Sequence, residues 1–276
     1  MAIVVSMLRS LADGALFGEQ WGQGPPVVVA LHGWRRTHRD FAGVLGPSAP
    51  GGALASTAPD LPGFGSTAPP PGPWGTDEYA KLVARLIVGS PTGRDTKPAE
   101  PAEPAEPAEP VVVVGHSFGG RVAVALAGAR PELVRGLVLT AAPLCRRPGA
   151  AGRPPAAFRL VRALHRMGMV PESRLERARQ RYGSPDYRAA EGVMRQVLVG
   201  LLHEDYEPAL RSLRCPVELV WGDDDTEVPL AVAEAIEALV PGARLTVCPG
   251  AGHLTPLTAP AQLRAAVDHV LRASTP

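Results

Sequence analysis

Apolar residues in this chain gather into short unbroken runs set between longer stretches of helical spacing. Val27-Val28-Val29-Ala30-Leu31 and Val111-Val112-Val113-Val114 are such runs; Leu133 to Thr140, Cys215 to Trp221 and Ala243 to Val247 mix polar residues among apolar ones and are read as strands as well, as is Ala53 to Ala58. Apolar side chains at every position, rather than at every second, suit strands covered on both faces, as in a parallel sheet. Between the runs lie stretches read as helices: Thr37 to Leu45, Tyr79 to Val88 behind a Thr76-Asp77-Glu78 start, Arg121 to Ala129, Pro229 to Leu239 and Pro260 to Ala273. Leu8 to Trp21 alternates weakly around Asp13-Gly14, a hairpin signal, and is expected as an antiparallel pair at the sheet edge. The pattern predicts an α/β fold with a mostly parallel central sheet and helices on both faces.

Two segments break the alternation. From Pro98 to Pro110 a Pro-Ala-Glu unit repeats four times, with no apolar face to bury and a residue without N–H at every third position. It is expected to be an extended, flexible loop expanded at the surface. From 144 to 207 the sequence turns helical and arginine-rich, with scattered prolines and glycines. A helical insertion between two strands of an α/β sheet sits most naturally over their carboxyl ends, so 144–207 is expected to form a lid on a core made of 1–143 and 208–276.

A formal charge of +1 argues against a general nucleic-acid binder, and no apolar run approaches a membrane span. Three widely spaced cysteines, Cys145, Cys215 and Cys248, suggest neither a disulfide framework nor a metal cluster. The first residues lack a basic region and a cleavage site of signal-peptide type, so a cytoplasmic location is expected. No dinucleotide fingerprint is present, and no cofactor or metal is expected.

The chemistry concentrates where the tetravaline run meets Gly115-His116-Ser117-Phe118-Gly119-Gly120 and an alanine-rich helix. Strand, tight turn and helix in that order lift a serine above the sheet, and the helix start aims free N–H groups at the same point. A nucleophilic serine needs a base and a carboxylate to orient it. Of seven histidines, His253 follows a strand within a glycine-rich loop, at the same end of the sheet as Ser117. His32 also follows a strand, but Gly33 beside it suggests a backbone role that leaves the Trp34 N–H facing the serine. His116 should point aside from the elbow, and His38, His165, His203 and His269 fall in helical stretches as surface or packing residues. The strand ending at Thr140 carries no acid, whereas the loop after Trp221 offers Asp223, Asp224 and Asp225.

With these residues in place the chain resembles the α/β-hydrolase family, in its lid-bearing, serine-esterase-like branch, over roughly Val27 to Leu271. His32-Gly33-Trp34 is similar to the family's oxyanion loop, Asp60 to Ser66 to its D-x-P-G-x-G-x-S segment, Gly115 to Gly120 to its nucleophile elbow, and Gly252-His253 to its histidine loop. Gly222-x-x-Asp225 with Pro229 is similar to its acid loop, and that spacing selects Asp225. The resemblance implies a triad of Ser117, Asp225 and His253, with the backbone amides of Trp34 and Phe118 as oxyanion hole. One departure is Thr258, where a glutamate often follows the histidine loop.

A serine nucleophile implies acyl transfer to water from a carboxylic ester or thioester with a sizeable apolar acyl part, lined by Trp34, Phe64, Phe118, Leu144, Met167 and Met169. Ordinary core packing competes with that role for the two methionines. Between Leu144 and Arg188 stand eleven arginines and no lysine, against Glu172, Glu176 and Asp186. On one face they would suit an anionic partner such as an acyl carrier protein or a coenzyme A ester; solvated helix faces need none. A carbon–carbon bond hydrolase, a lyase or a perhydrolase would use the same scaffold. A ligand-sensing protein with a retained triad is the reading from a different class.

Overall fold

A computed structural model describes residues 8–89, 109–145 and 156–273. Most of the repeat tract and Arg146, Arg147 and Arg153 lie outside the described residues.

The eight strands are β1 (Arg9–Leu11), β2 (Leu16–Trp21), β3 (Val28–Leu31), β4 (Ser56–Asp60), β5 (Val111–His116), β6 (Val134–Thr140), β7 (Val217–Gly222) and β8 (Arg244–Cys248). They form one sheet in the order β1-β2-β4-β3-β5-β6-β7-β8. Pairing is antiparallel at β1/β2 and β2/β4 and parallel from there on. The hairpin thus lies at the sheet edge as expected, turned by Ala12 and Asp13 at positive φ.

The helices are α1 (Ala42–Leu45), α2 (Thr76–Val88), α3 (Phe118–Ala129), α4 (Ala156–Arg166), α5 (Glu172–Tyr182), α6 (Pro185–Ala189), α7 (Gly192–Leu201), α8 (Glu207–Ser212), α9 (Leu230–Leu239), α10 (Thr255–Thr258) and α11 (Pro260–Ala273). The valines of β5 show why its apolar run is unbroken. Val111 and Val113 enter a core with Tyr79 and Val83 of α2, Val122 and Leu126 of α3 and Ile236 of α9. Val112 and Val114 point the other way, into a core with Val44 and Leu45 of α1 and Leu263, Val267 and Val270 of α11. Successive strand residues face opposite sides, so a strand between two helical layers must be apolar throughout.

Two expectations shift. The helix expected over Thr37 to Leu45 is a 3-10 turn, His38–Phe41, followed by the four-residue α1. Asp60 holds that first turn, accepting from the His38 N–H at 2.9 Å. The strand expected over Ala53 to Ala58 begins instead at Ser56, where its pairing with Trp21 of β2 starts. Among the described residues no helix is long and apolar enough to cross a membrane.

Candidate active site

The turn after β5 is strained in the way a nucleophile elbow requires. Ser117 has φ +50° and ψ −111°, a conformation that costs a side-chain-bearing residue about 1–3 kcal/mol and persists only where packing enforces it. Packing does so here: a Cβ on Gly115 would stand 2.6 Å from Gly120 Cα, and one on Gly119 would overlap the Leu31 carbonyl oxygen. Strand and helix touch backbone to backbone on both sides of the serine. The Ser117 N–H donates to Thr140 O of β6 at 2.9 Å, fixing the elbow over the carboxyl end of the sheet.

Three segments far apart in sequence meet there. His253 Nε2 stands 3.2 Å from Ser117 Oγ, and its Nδ1 stands 3.0 Å from Asp225 Oδ2. Asp225 Oδ1 accepts from the N–H groups of Glu227 at 2.9 Å and Val228 at 2.8 Å, which orients the carboxylate. Asp223 and Asp224 do not share this position: Asp223 Oδ1 instead accepts from the Gly250 N–H at 2.7 Å. Burial by itself lowers the His253 pKa, but the hydrogen bond and charge of Asp225, with Glu227 and Asp186 adding to them, outweigh it and hold the pKa above 6.5.

The Phe118 N–H opens α3 and is among the donors a helix leaves without an intrahelical acceptor. Gly33 brings the Trp34 backbone alongside: a Cβ on it would lie 3.3 Å from Ser117 Cβ.

Two histidines hold this layer together, and the sequence did not assign them that work. His32 is fully buried, with Nδ1 2.7 Å from Gly33 O and Nε2 accepting the Leu61 N–H at 2.9 Å. A neutral ring protonated at Nδ1 satisfies both contacts, and burial lowers its pKa to about 4. His116 does not simply point aside. Its Nε2 lies 2.9 Å from the His253 carbonyl oxygen, and its Nδ1 is buried without a partner. Burial, joined by the nearby His253, lowers this ring as well to about 4. A third histidine, His38, is buried against Asp60 at 2.8 Å and Glu19 at 3.7 Å.

A cavity of about 290 Å³ opens on Ser117, lined by Trp34, Arg35, Arg36, His116, Asp186, Glu227, His253 and Leu254 among others. Its described wall is largely polar, and of the residues expected from sequence to line an apolar acyl pocket it includes Trp34. Arg36 makes a bidentate pair with Asp40 at 2.7 Å, and Arg35, at φ +56°, reaches Asp186 of α6 at 3.6 Å. The proposed pocket residues are dispersed. Phe64 and Leu144 are buried in the core. Phe64 meets the Trp34 ring edge-on at 4.9 Å, and Trp34 meets the Phe118 ring at 5.6 Å, so the aromatic side chains fill the space below the site. Met167 and Met169 are exposed and belong neither to the core nor to the wall of this cavity on Ser117. The methionine that packs against this core is Met194 of α7, pressed on Gly63.

The helices between β6 and β7 are tied to the body at several points. Arg121 of α3 donates to Leu201 O of α7 at 3.0 Å and lies over the Tyr206 ring. Glu204 accepts from Thr76 N at 3.1 Å and from the Thr76 hydroxyl, capping α2. By contrast α4 has no buried residue. Ala156, Leu160, Ala163 and Met167 line a shallow surface groove with Arg159, Arg162 and Arg166, and among the described residues no carboxylate lies within ion-pair reach of those arginines.

Fold and elbow define a class, and the family comparison states it: residues 28–266 match the model of the Alpha/beta hydrolase family, to which the chain belongs. At the level of individual proteins, the chain is 28% identical over 270 residues to the pimeloyl-[acyl-carrier protein] methyl ester esterase of Aromatoleum aromaticum, covering 90% of this chain and 98% of that protein. It is 38% identical over 123 residues to lipase LipV of Mycobacterium tuberculosis, 42% of this chain and 37% of that protein. A solved thermophilic esterase from Thermogutta terrifontis shares the fold, with a TM-score of 0.64 at 21% identity and 98% of each chain covered. Ester hydrolases thus stand among its relatives at low identity.

Proposed function

We propose that the chain is a serine ester hydrolase that works through an acyl-enzyme on Ser117. The observation that carries this reading is the relay Asp225–His253–Ser117, with hydrogen-bond distances of 3.0 and 3.2 Å meeting at a strained elbow. His253 Nε2 takes the Ser117 proton as Oγ bonds to the ester carbonyl carbon, and Asp225 holds the ring with Nδ1–H toward itself and stabilises the imidazolium. The N–H groups of Phe118 and Trp34 receive the oxyanion. His253 then returns the proton to the leaving alcohol or thiol, and water activated by the same ring releases the acid. The helices of 144–207 act as a lid, which Asp186 supports by contributing to the wall around Ser117.

Labelling with a fluorophosphonate followed by peptide mapping tests the reading, with Ser117 as the expected site. The pH profile adds a second check. His253 must be neutral to act as base and its pKa is raised, so the acid limb of kcat/KM for an activated ester is expected above pH 6.5, the ordinary imidazole value. A limb below that value would contradict the electrostatics described above.

The substrate is proposed to be a carboxylic ester or thioester borne on an acyl carrier. The similar pimeloyl-[acyl-carrier protein] methyl ester esterase supports this, as does the basic exposed face of α4. Reversing Arg159, Arg162 and Arg166 to glutamate is expected to raise the KM for a carrier-linked ester about tenfold at low salt, with small-ester turnover unchanged. An unchanged KM would remove the carrier from the proposal and leave the hydrolase.

A further inference from the structure

We propose that Glu227 is a positioning residue for His253, a second carboxylate that favours the protonated ring and so sets the pH at which the site becomes active. The proposal rests on the reading of His253 as the base, and it stands on geometry. Glu227 Oε2 lies 3.8 Å from His253 Nε2, the nitrogen that also faces Ser117 Oγ at 3.2 Å. Asp225 occupies the opposite nitrogen, Nδ1. The Glu227 N–H donates to Asp225 Oδ1, so the turn that aims one carboxylate at Nδ1 also delivers the other to the far edge of the ring. The imidazole is straddled by two acids from a single loop.

The consequence depends on charge state. With the ring neutral, Nε2 presents a lone pair to Ser117 and offers a carboxylate nothing. Once the proton has moved from Ser117 Oγ to Nε2, the N–H and its charge face Glu227 as well, so Glu227 stabilises the imidazolium alone. Other charged or titratable groups facing His253 are Asp186 from α6, His116 at the end of β5, with ring centroids 5.1 Å apart, and Arg35 and Arg36 in the same cavity wall. Arg36 is engaged by Asp40, and Asp186 by Arg35. The Glu227 side chain is 66% exposed, which screens its pull and makes it sensitive to salt.

The test compares wild type, Glu227→Gln and Asp186→Asn by NMR titration of the His253 ring, alongside pH profiles on an activated ester. In Glu227→Gln the titration is expected to move to lower pH, and to move less in Asp186→Asn. The ratio of wild-type to Glu227→Gln kcat/KM is expected to be about threefold larger on the alkaline plateau than on the acid limb, with the difference collapsing in molar salt. Loss of structure would lower both ends of the profile alike. A His253 titration that stays in place in Glu227→Gln, or moves further in Asp186→Asn, overturns the proposal. If the ring titrates as expected but the wild type neither labels nor turns over esters, the pairing with Glu227 stands and the hydrolase reading falls.

Discussion

Replacing Ser117 by alanine is expected to abolish fluorophosphonate labelling and to lower kcat on small activated esters by roughly 10⁵- to 10⁶-fold, with thermal unfolding little changed. The size follows from how the relay works. In the proposed mechanism His253 has no proton to take without Oγ and Asp225 no imidazolium to stabilise, so removing the serine idles all three, leaving only binding and the oxyanion donors. His253→Ala is expected to cost about as much, and the double variant scarcely more, because groups that act as a unit do not add. Hydroxyl and ring are 3.2 Å apart, and neither is buried to a depth where truncation would collapse the core. Circular dichroism on each variant separates lost chemistry from lost fold. A folded Ser117→Ala protein retaining a hundredth of wild-type turnover would remove Ser117 from the mechanism.

The second large effect is on the scaffold. Gly119→Ala is expected to lower stability by about 3 kcal/mol in chemical denaturation. The added methyl would overlap the Leu31 carbonyl oxygen and lie 2.8 Å from the His32 carbonyl oxygen, and both are backbone atoms with no rotamer to yield. α3 must then retreat from β3, carrying the Phe118 N–H away from Trp34. A displacement of about 1 Å at such a site costs on the order of 100-fold in rate, so activity should fall beyond what unfolding explains. Gly200→Ala in α7 serves as the control, since a Cβ there has nothing within 4 Å. It is expected to be neutral or slightly stabilising. Equal stability of Gly119→Ala and wild type would mean that helix and strand are not in the close contact described.

What the sequence made legible were features fixed by local pattern. Unbroken valine runs mark strands buried on both faces, and Val111 to Val114 do divide between two cores. Glycines around Ser117 announced a backbone approach that a Cβ would block, and the position of His253 after the last strand placed it at the serine's end of the sheet. The features that stayed hidden depend on distant packing. Met167, Met169 and Met194 look alike in sequence, yet only Met194 meets the core around Phe64. His38 sits in a stretch of helical spacing, and its burial follows from Asp60, 22 residues away. Arg35, Asp186 and Glu227 come from three separate segments to make a polar wall, and nothing in their neighbourhoods marks them as partners. For Phe64 and Leu144 the apolar character was plain, but whether an apolar residue faces a cavity or fills it is settled by its neighbours' rings.

The spacing of the relay along the chain bears on how the protein matures. Ser117 and His253 are 136 residues apart, and Asp225 reaches His253 across 28. Between serine and histidine lie β6, β7 and β8 and all the intervening helices, so these contacts close only after the last strands have docked. Such long-range closures pay their loop entropy before any contact rewards it and come late in assembly. The elbow needs only β3, β5 and β6 packed around it, whereas the relay also needs the loops after β7 and β8 in place. Under the proposed mechanism, ester turnover would therefore report that the segments carrying Ser117, Asp225 and His253 have all docked, as well as that the substrate fits.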